Sequence, residues 1–164
     1  MSKNGGSLED PIGDLTHDHG ALSTLVLAVR ASLNRLERGE TTPVKLADDL
    51  GDGTAALHDA LLVHFAREEE GLFPFVVDEL PAMKSRAEAL RAEHDAICGA
   101  AADLMQAARL LYTGGGVVAC TATMVRFEEL YATHSQVELT FLKDVGAALS
   151  VVAREKLRAI LAST

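Results

Sequence analysis

The sequence predicts an all-α fold, an up-down-up-down antiparallel four-helix bundle with a short C-terminal extra helix. Three observations carry that prediction. Apolar residues fill 48% of the 164 positions but aromatics only 4%, with no Trp, a balance that favours packed helices over a sandwich or barrel. Four long segments repeat apolar residues at alternating spacings of four and three, the mark of one buried helix face. Breaks rich in Gly and Pro separate these segments. A chain of this length fits one domain with a substantial core.

The first stripe runs Leu15, His19, Leu22, Val26, Val29, Leu33 and Leu36, after a Gly/Ser-rich opening read as a flexible tail over residues 1–11. "RGETTP" stops it: Gly39 ends the helix, Thr42 suits an N-cap and Pro43 the first helical turn of the next. The second stripe reads Leu46, Leu50, Thr54, Leu57, Leu61, His64, Glu68 and Leu72. Its register survives "GDG" at 51–53, so one continuous helix is expected, weakened or ended by Pro74. "ELPAM" opens a third helix with Pro81 at its start and Met83, Ala87, Leu90, His94, Ile97, Ala101, Leu104, Ala108 and Leu111 on its stripe. "TGGG" at 113–116 is a strong break. The fourth stripe, Met124, Phe127, Tyr131, His134, Glu138, Phe141 and Val145, runs to about Gly146. The bundle is thus expected over residues 12–146, with a short covering helix in 147–164.

A net charge of −9 with no Lys/Arg cluster argues against nucleic-acid binding. Cys98 and Cys120 are too few for a disulfide framework, and "MSKNGGSLEDPIGD" lacks the apolar core of a signal peptide. No apolar stretch approaches the roughly 18 residues of a membrane span. A soluble protein of a reducing, cytoplasmic compartment is expected.

Thr54 aside, the polar exceptions within the stripes are His19, His64, Glu68, His94, His134 and Glu138. A bundle core holds two carboxylates and four imidazoles only if they are paired with one another or bound to metal. At 1.5 Å per residue, an antiparallel arrangement brings all six within about 20 Å of the same end. H-x-x-x-E occurs twice, at His64/Glu68 and His134/Glu138, and sets both side chains on one face a turn apart. The chain also repeats itself: "DHGAL" at 18–22 resembles "EHDAI" at 93–97, each followed by an H-x-x-x-E. Two pseudo-equivalent halves suit two metal ions sharing the carboxylates.

The order His, H-x-x-x-E, His, H-x-x-x-E, with "HFAREEEGLFP" at the second helix, resembles the hemerythrin-like (HHE cation-binding) family. The resemblance implies a non-haem di-iron centre of two iron ions, with His19, His64, His94 and His134 as ligands and Glu68 and Glu138 as bridging carboxylates. Other divalent metals, such as manganese or zinc, suit the same donors. The oxygen-carrying hemerythrins have a second histidine one turn from the first on the third helix, where this chain has Leu90 and Cys98. Their fourth-helix carboxylate is an Asp five residues after its histidine, where this chain has Glu138 after four. Such a site leaves an iron position open, or fills it with water, Tyr131, His17 or His58.

Those three extra candidates each have a plainer reading. His17 lies about 200° round the helix from His19, and His58 about 9 Å before His64 and off the stripe. Tyr131 is a donor or terminal ligand, or simply packs in the core. Glu69 and Glu70 read as a solvated face, and Cys98 as a small buried filler or a redox-active thiol. The resemblance implies binding, sensing or reaction of oxygen, peroxide or nitric oxide. A sensor would pass its output to a separate protein partner. Iron storage or delivery, including iron–sulfur cluster repair, is the alternative, although the repair proteins carry a cysteine-bearing N-terminal segment with no counterpart before residue 12. A metal-free helical interaction module is the remote third.

Overall fold

The computed structural model describes residues 10–164; of the tail expected over 1–11, residues 1–9 lie outside the described residues. Asp10 and Pro11 open helix α1, Pro11–Glu37, with Pro11 in the first turn where its missing N–H costs nothing. At its other end Arg38 donates to the Asn34 carbonyl and Glu40 to that of Arg35, while Gly39 takes φ 70°. A side chain at Gly39 would be strained in that left-handed turn, so this glycine ends the helix as expected.

Helix α2, Pro43–Arg67, starts from Thr42, whose hydroxyl accepts from the Lys45 N–H, and runs unbroken through Gly51 and Gly53. Every position of the second predicted stripe is buried. Thr54 fits there because its hydroxyl donates to the Leu50 carbonyl at 2.6 Å.

At Pro74 the structure takes the milder of the two expected outcomes, a weakened helix. The helix does not stop there: a π turn over Glu68–Leu72 leads directly into α3, Phe73–Glu79. A proline in a regular helix clashes with the carbonyl four residues back and leaves it without a donor. Here the Phe73 N–H reaches back five residues to Glu68, and the widened turn accommodates the ring. The chain then turns at Leu80, and a 3₁₀ turn at Pro81–Met83 precedes α4, Lys84–Leu110.

A second 3₁₀ turn, Leu111–Thr113, ends at Gly114 with φ 78°, and Gly116 with φ 87° leads into α5, Val117–Ala148. Helix α6, Val151–Leu161, is N-capped by Ser150 accepting from the Ala153 N–H. Helices α1, α2, α4 and α5 form the bundle, each packed on its two sequence-predicted neighbours. No strand occurs among the described residues.

The core divides into three apolar groups along the bundle. Leu33, Leu46, Leu104 and Met124 fill one end. Leu22, Leu61, Phe65, Ile97 and Phe127 fill the middle. Leu15, Leu72, Phe73, Leu90 and Phe141 close the other end, where Leu157 and Leu161 of α6 cover them. Between the middle and the α6 end lies a layer of polar side chains.

Candidate metal centre

The six polar residues of the four stripes meet in that layer. His19 comes from α1, His64 from α2, Glu68 from the first residue of the π turn, His94 from α4, and His134 and Glu138 from α5. All are buried, and both carboxylates are wholly removed from solvent. Their donor atoms form two overlapping groups, His19/His64/Glu68/Glu138 and Glu68/His94/His134, each with its atoms within 4.8 Å of one another.

Each carboxylate divides its two oxygens between the two halves of the bundle. Glu68 sets Oε1 3.7 Å from His64 Nε2 and Oε2 3.4 Å from His94 Nε2. Glu138 sets Oε1 2.8 Å from His19 Nε2 and 3.6 Å from His64 Nε2, with Oε2 3.1 Å from His134 Nε2. One oxygen of each thus serves the α1/α2 pair of imidazoles and the other the α4/α5 pair, the arrangement of two bridging carboxylates.

Apart from the His19–Glu138 hydrogen bond, these contacts do not satisfy the groups that make them. Both nitrogens of His64, both oxygens of Glu68, Nε2 of His94 and of His134, and Oε2 of Glu138 are buried without an aligned hydrogen bond. Polar atoms left this way cost about 1–3 kcal/mol each, so their convergence on one point calls for a common partner. Imidazole nitrogen and carboxylate oxygen are together the donor set of a transition-metal site. The residues therefore fit a metal centre.

Without metal, protons balance the charges unevenly. Burial, reinforced by the neighbouring Glu138, pushes the Glu68 carboxyl well above the usual range. Burial pushes Glu138 the same way, but Glu68, His134, His19 and His64 together pull it below the ordinary carboxylate range. The pair thus shares its proton as a unit, held on the Glu68 side. His64 is raised: burial opposes its charge, but Asp18 and Glu138 outweigh burial. His94 is lowered, chiefly by burial.

Outside the six residues lies a ring of partners that the sequence reading did not find. His94 Nδ1 donates to Glu69 Oε1 at 2.8 Å, and His134 Nδ1 to Glu93 Oε2 at 2.8 Å. His19 Nδ1 lies 3.1 Å from the Ser135 hydroxyl, and His64 Nδ1 lies 3.8 Å from Asp18 Oδ2. Every partner adjoins a residue of the inner set in sequence: Asp18 precedes His19, Glu69 follows Glu68, Glu93 precedes His94 and Ser135 follows His134. Neighbouring residues on a helix are turned by about 100°, so each points at the next helix round the bundle. Stepping back on α1 and α4 and forward on the two antiparallel helices turns in the same sense, which closes the ring. The signal was present in the repeated acid–His pairs of "DHGAL" and "EHDAI". Glu69, read from the sequence as solvated, is half-buried against His94, with Arg91 3.4 Å from its second oxygen.

Of the remaining candidates, His17 and His58 belong to neither donor group, and the Tyr131 hydroxyl is a further buried polar atom without an aligned partner. His17 is exposed, and His58 is half-buried with Nδ1 3.8 Å from Asp59. Tyr131 is buried, stacked on Phe127 with ring centroids 5.7 Å apart, and burial pushes its hydroxyl up to about 12. Leu90 belongs to the apolar α6 end. Cys98 is half-buried at the rim of a cavity of about 410 Å³ that also touches His94 and Glu69, its thiol pushed up chiefly by burial. Phe65 lies flat on the His94 ring, centroids 3.8 Å apart and planes 7° from parallel.

A cavity of about 350 Å³ between α1 and α2 ends on His64, with Asp18 and Arg67 ion-paired among its lining residues. A second, of about 420 Å³, lies between α1 and α5 and reaches Tyr131 and Ser135. No helix of the described residues is long and apolar enough to cross a membrane.

No curated protein and no solved structure matches the chain. A family model does: residues 10–140, which carry α1, α2, α4, most of α5 and the whole polar layer, match the hemerythrin HHE cation binding domain, and the chain belongs to that family.

Proposed function

We propose that the chain holds two iron ions in the polar layer and uses them to bind, sense or react with a small molecule, oxygen, peroxide or nitric oxide. The observation that carries this reading is the division of the Glu68 and Glu138 oxygens between two pairs of imidazoles. His19 and His64 would hold one ion, His94 and His134 the other, with both carboxylates shared. Iron bound there supplies electrons, or an open coordination position, to the small molecule.

The protein's own side chains do the rest. Phe65 keeps the His94 ring in one orientation and seals the site from the middle of the core. Leu15, Leu72 and Phe141 exclude water from the other side. The Asp18–Arg67 ion pair stands in the α1/α2 cavity that His64 lines, the side from which a small molecule would approach that imidazole. A reducing cytoplasm suits the free Cys98 and Cys120, and the acidic surface offers nothing to nucleic acid.

Anaerobic loading with Fe(II) tests the reading. Two irons per chain are expected, with an absorption change on adding oxygen, peroxide or nitric oxide. Reversible change indicates binding or sensing, turnover indicates an enzyme, and iron loss indicates storage or delivery instead. Glu68→Ala and Glu138→Ala should each lower the iron content; full iron in either refutes the bridging assignment.

A further inference from the structure

We infer that the two metal positions are unequal: the His94/His134 position fills first, because Glu69 and Glu93 act as positioning residues for its two imidazoles. The inference rests on the two-metal reading above and concerns residues outside the six inner ones.

A histidine binds metal through Nε2 only when its proton sits on Nδ1, and a hydrogen bond from Nδ1 fixes that tautomer and strengthens the donor. A carboxylate can only accept, so Glu69 and Glu93, each at 2.8 Å, hold His94 and His134 with Nδ1 protonated and Nε2 turned inward, 3.4 Å from Glu68 and 3.1 Å from Glu138 without an aligned hydrogen bond. Both imidazoles are preset to ligate. The other pair is not. His19 donates from Nε2 to Glu138 at 2.8 Å and meets at Nδ1 only the neutral Ser135 hydroxyl, so its tautomer must invert on ligation. His64 has Asp18 3.8 Å away, beyond hydrogen-bond reach, and the same Asp18 oxygen is taken by Arg67. Charge-assisted bonds are roughly twice as strong as neutral ones, which sets the α4/α5 pair above the α1/α2 pair.

The ring of partners is therefore regular in direction and unequal in chemistry. Two of its four members are carboxylates with one oxygen given to an imidazole, Glu69 meeting Arg91 only through its other oxygen; one is a hydroxyl, and one is a carboxylate whose oxygen nearest His64 is taken by an arginine. Repulsion between two cations would separate two binding steps even in a symmetric site, so the order of filling carries the inference, and the separation alone does not.

Fe(II) titration of the metal-stripped full chain under anaerobic conditions, followed by calorimetry, tests it. Two steps are expected. Glu69→Gln and Glu93→Gln, both outside the core, should each weaken the first step by about 10–100-fold, with apo helicity checked by circular dichroism. Glu93→Asp should restore part of the loss. Asp18→Asn should leave the first step within about twofold, since Asp18 faces His64 and not the His94/His134 pair. Arg67→Met frees Asp18 for His64 and should tighten the second step, a gain that a merely structural role for these residues would not produce. Fewer than two irons per wild-type chain overturns the two-metal reading and this inference together. Two irons whose first step is insensitive to both Gln variants, or a second step weakened by Arg67→Met, overturn the inference alone.

Discussion

Replacing Glu68 with Met should make the metal-free protein more stable and the iron-loaded protein less so. Glu68 is wholly buried, neither of its oxygens has an aligned partner, and burial drives its carboxyl upward. Each buried polar atom left this way costs about 1–3 kcal/mol, and exchanging buried ionic groups for apolar ones of like volume is commonly neutral or stabilising by about 1–4 kcal/mol. Met matches Glu in length, and its flexible thioether fills irregular gaps in a core. A gain of about 1–3 kcal/mol is therefore expected in the chelator-treated protein, read as a higher urea midpoint at unchanged slope. Iron reverses the order. The wild type gains about 4 kcal/mol at a thousandfold excess over its dissociation constant, while the variant has lost an oxygen at each position. A metal-free variant that unfolds at lower urea than wild type would show that Glu68 is satisfied without metal, and would sink the argument that the polar layer exists to bind it.

Other consequences can be checked with standard measurements. Protons compete with metal at Glu68 and His64, both raised in the metal-free protein, so metal binding releases protons and apparent iron affinity should rise with pH from about 5 to 8. Affinity flat across that window contradicts the protonation scheme. Phe65→Ala removes the ring stacked on His94 and should cost about 3–5 kcal/mol in chemical denaturation, with Phe65→Leu costing much less. Gly71→Ala would set a Cβ 2.7 Å from Leu161 Cδ2, the end of a flexible side chain, so a loss at the low end of about 1–3 kcal/mol is expected as that side chain turns aside. Leu161→Ala should then cost less in the Gly71→Ala background than alone, a coupling a double-mutant cycle measures.

The bundle was legible because helix burial repeats at short range. The second and fourth stripes read from the sequence are buried throughout, since spacings of three and four determine the face each residue occupies whatever the neighbouring helices are. The six inner polar residues were legible for the same reason, as exceptions to an apolar pattern. Glu69, Glu93, Asp18 and Ser135 were not, because they lie off the stripe, where a polar residue is the normal occupant, and their partners lie 25 to 116 positions away in the chain. Whether Pro74 would weaken or end the helix was open in the sequence for a related reason. Its effect depends on whether the turn before it can widen, and that turn is held by packing of Gly71 and Leu72 against α6, a long-range contact absent from any local pattern.

The π turn and the polar layer are linked by more than position. Glu68 is both the first residue of the turn and the carboxylate between His64 and His94, and its carbonyl accepts the lengthened bond from Phe73. A regular helix ending at Pro74 would leave the backbone at Glu68 frayed, one turn from where an oxygen must be held between two imidazoles. The widened turn carries the helix past the proline, so that Phe73, Phe75 and Val76 can enter the core beneath the site and α6 can close over them. The layer of unsatisfied donors interrupts the core, and the apolar groups on its two sides must hold the bundle together until metal bridges the gap. On that account, substitutions in the α6 end, such as Leu157→Ala, should lower iron affinity as well as stability. By contrast, Leu46→Ala at the far end should lower stability alone; equal loss of iron affinity in both would separate the π turn from the site.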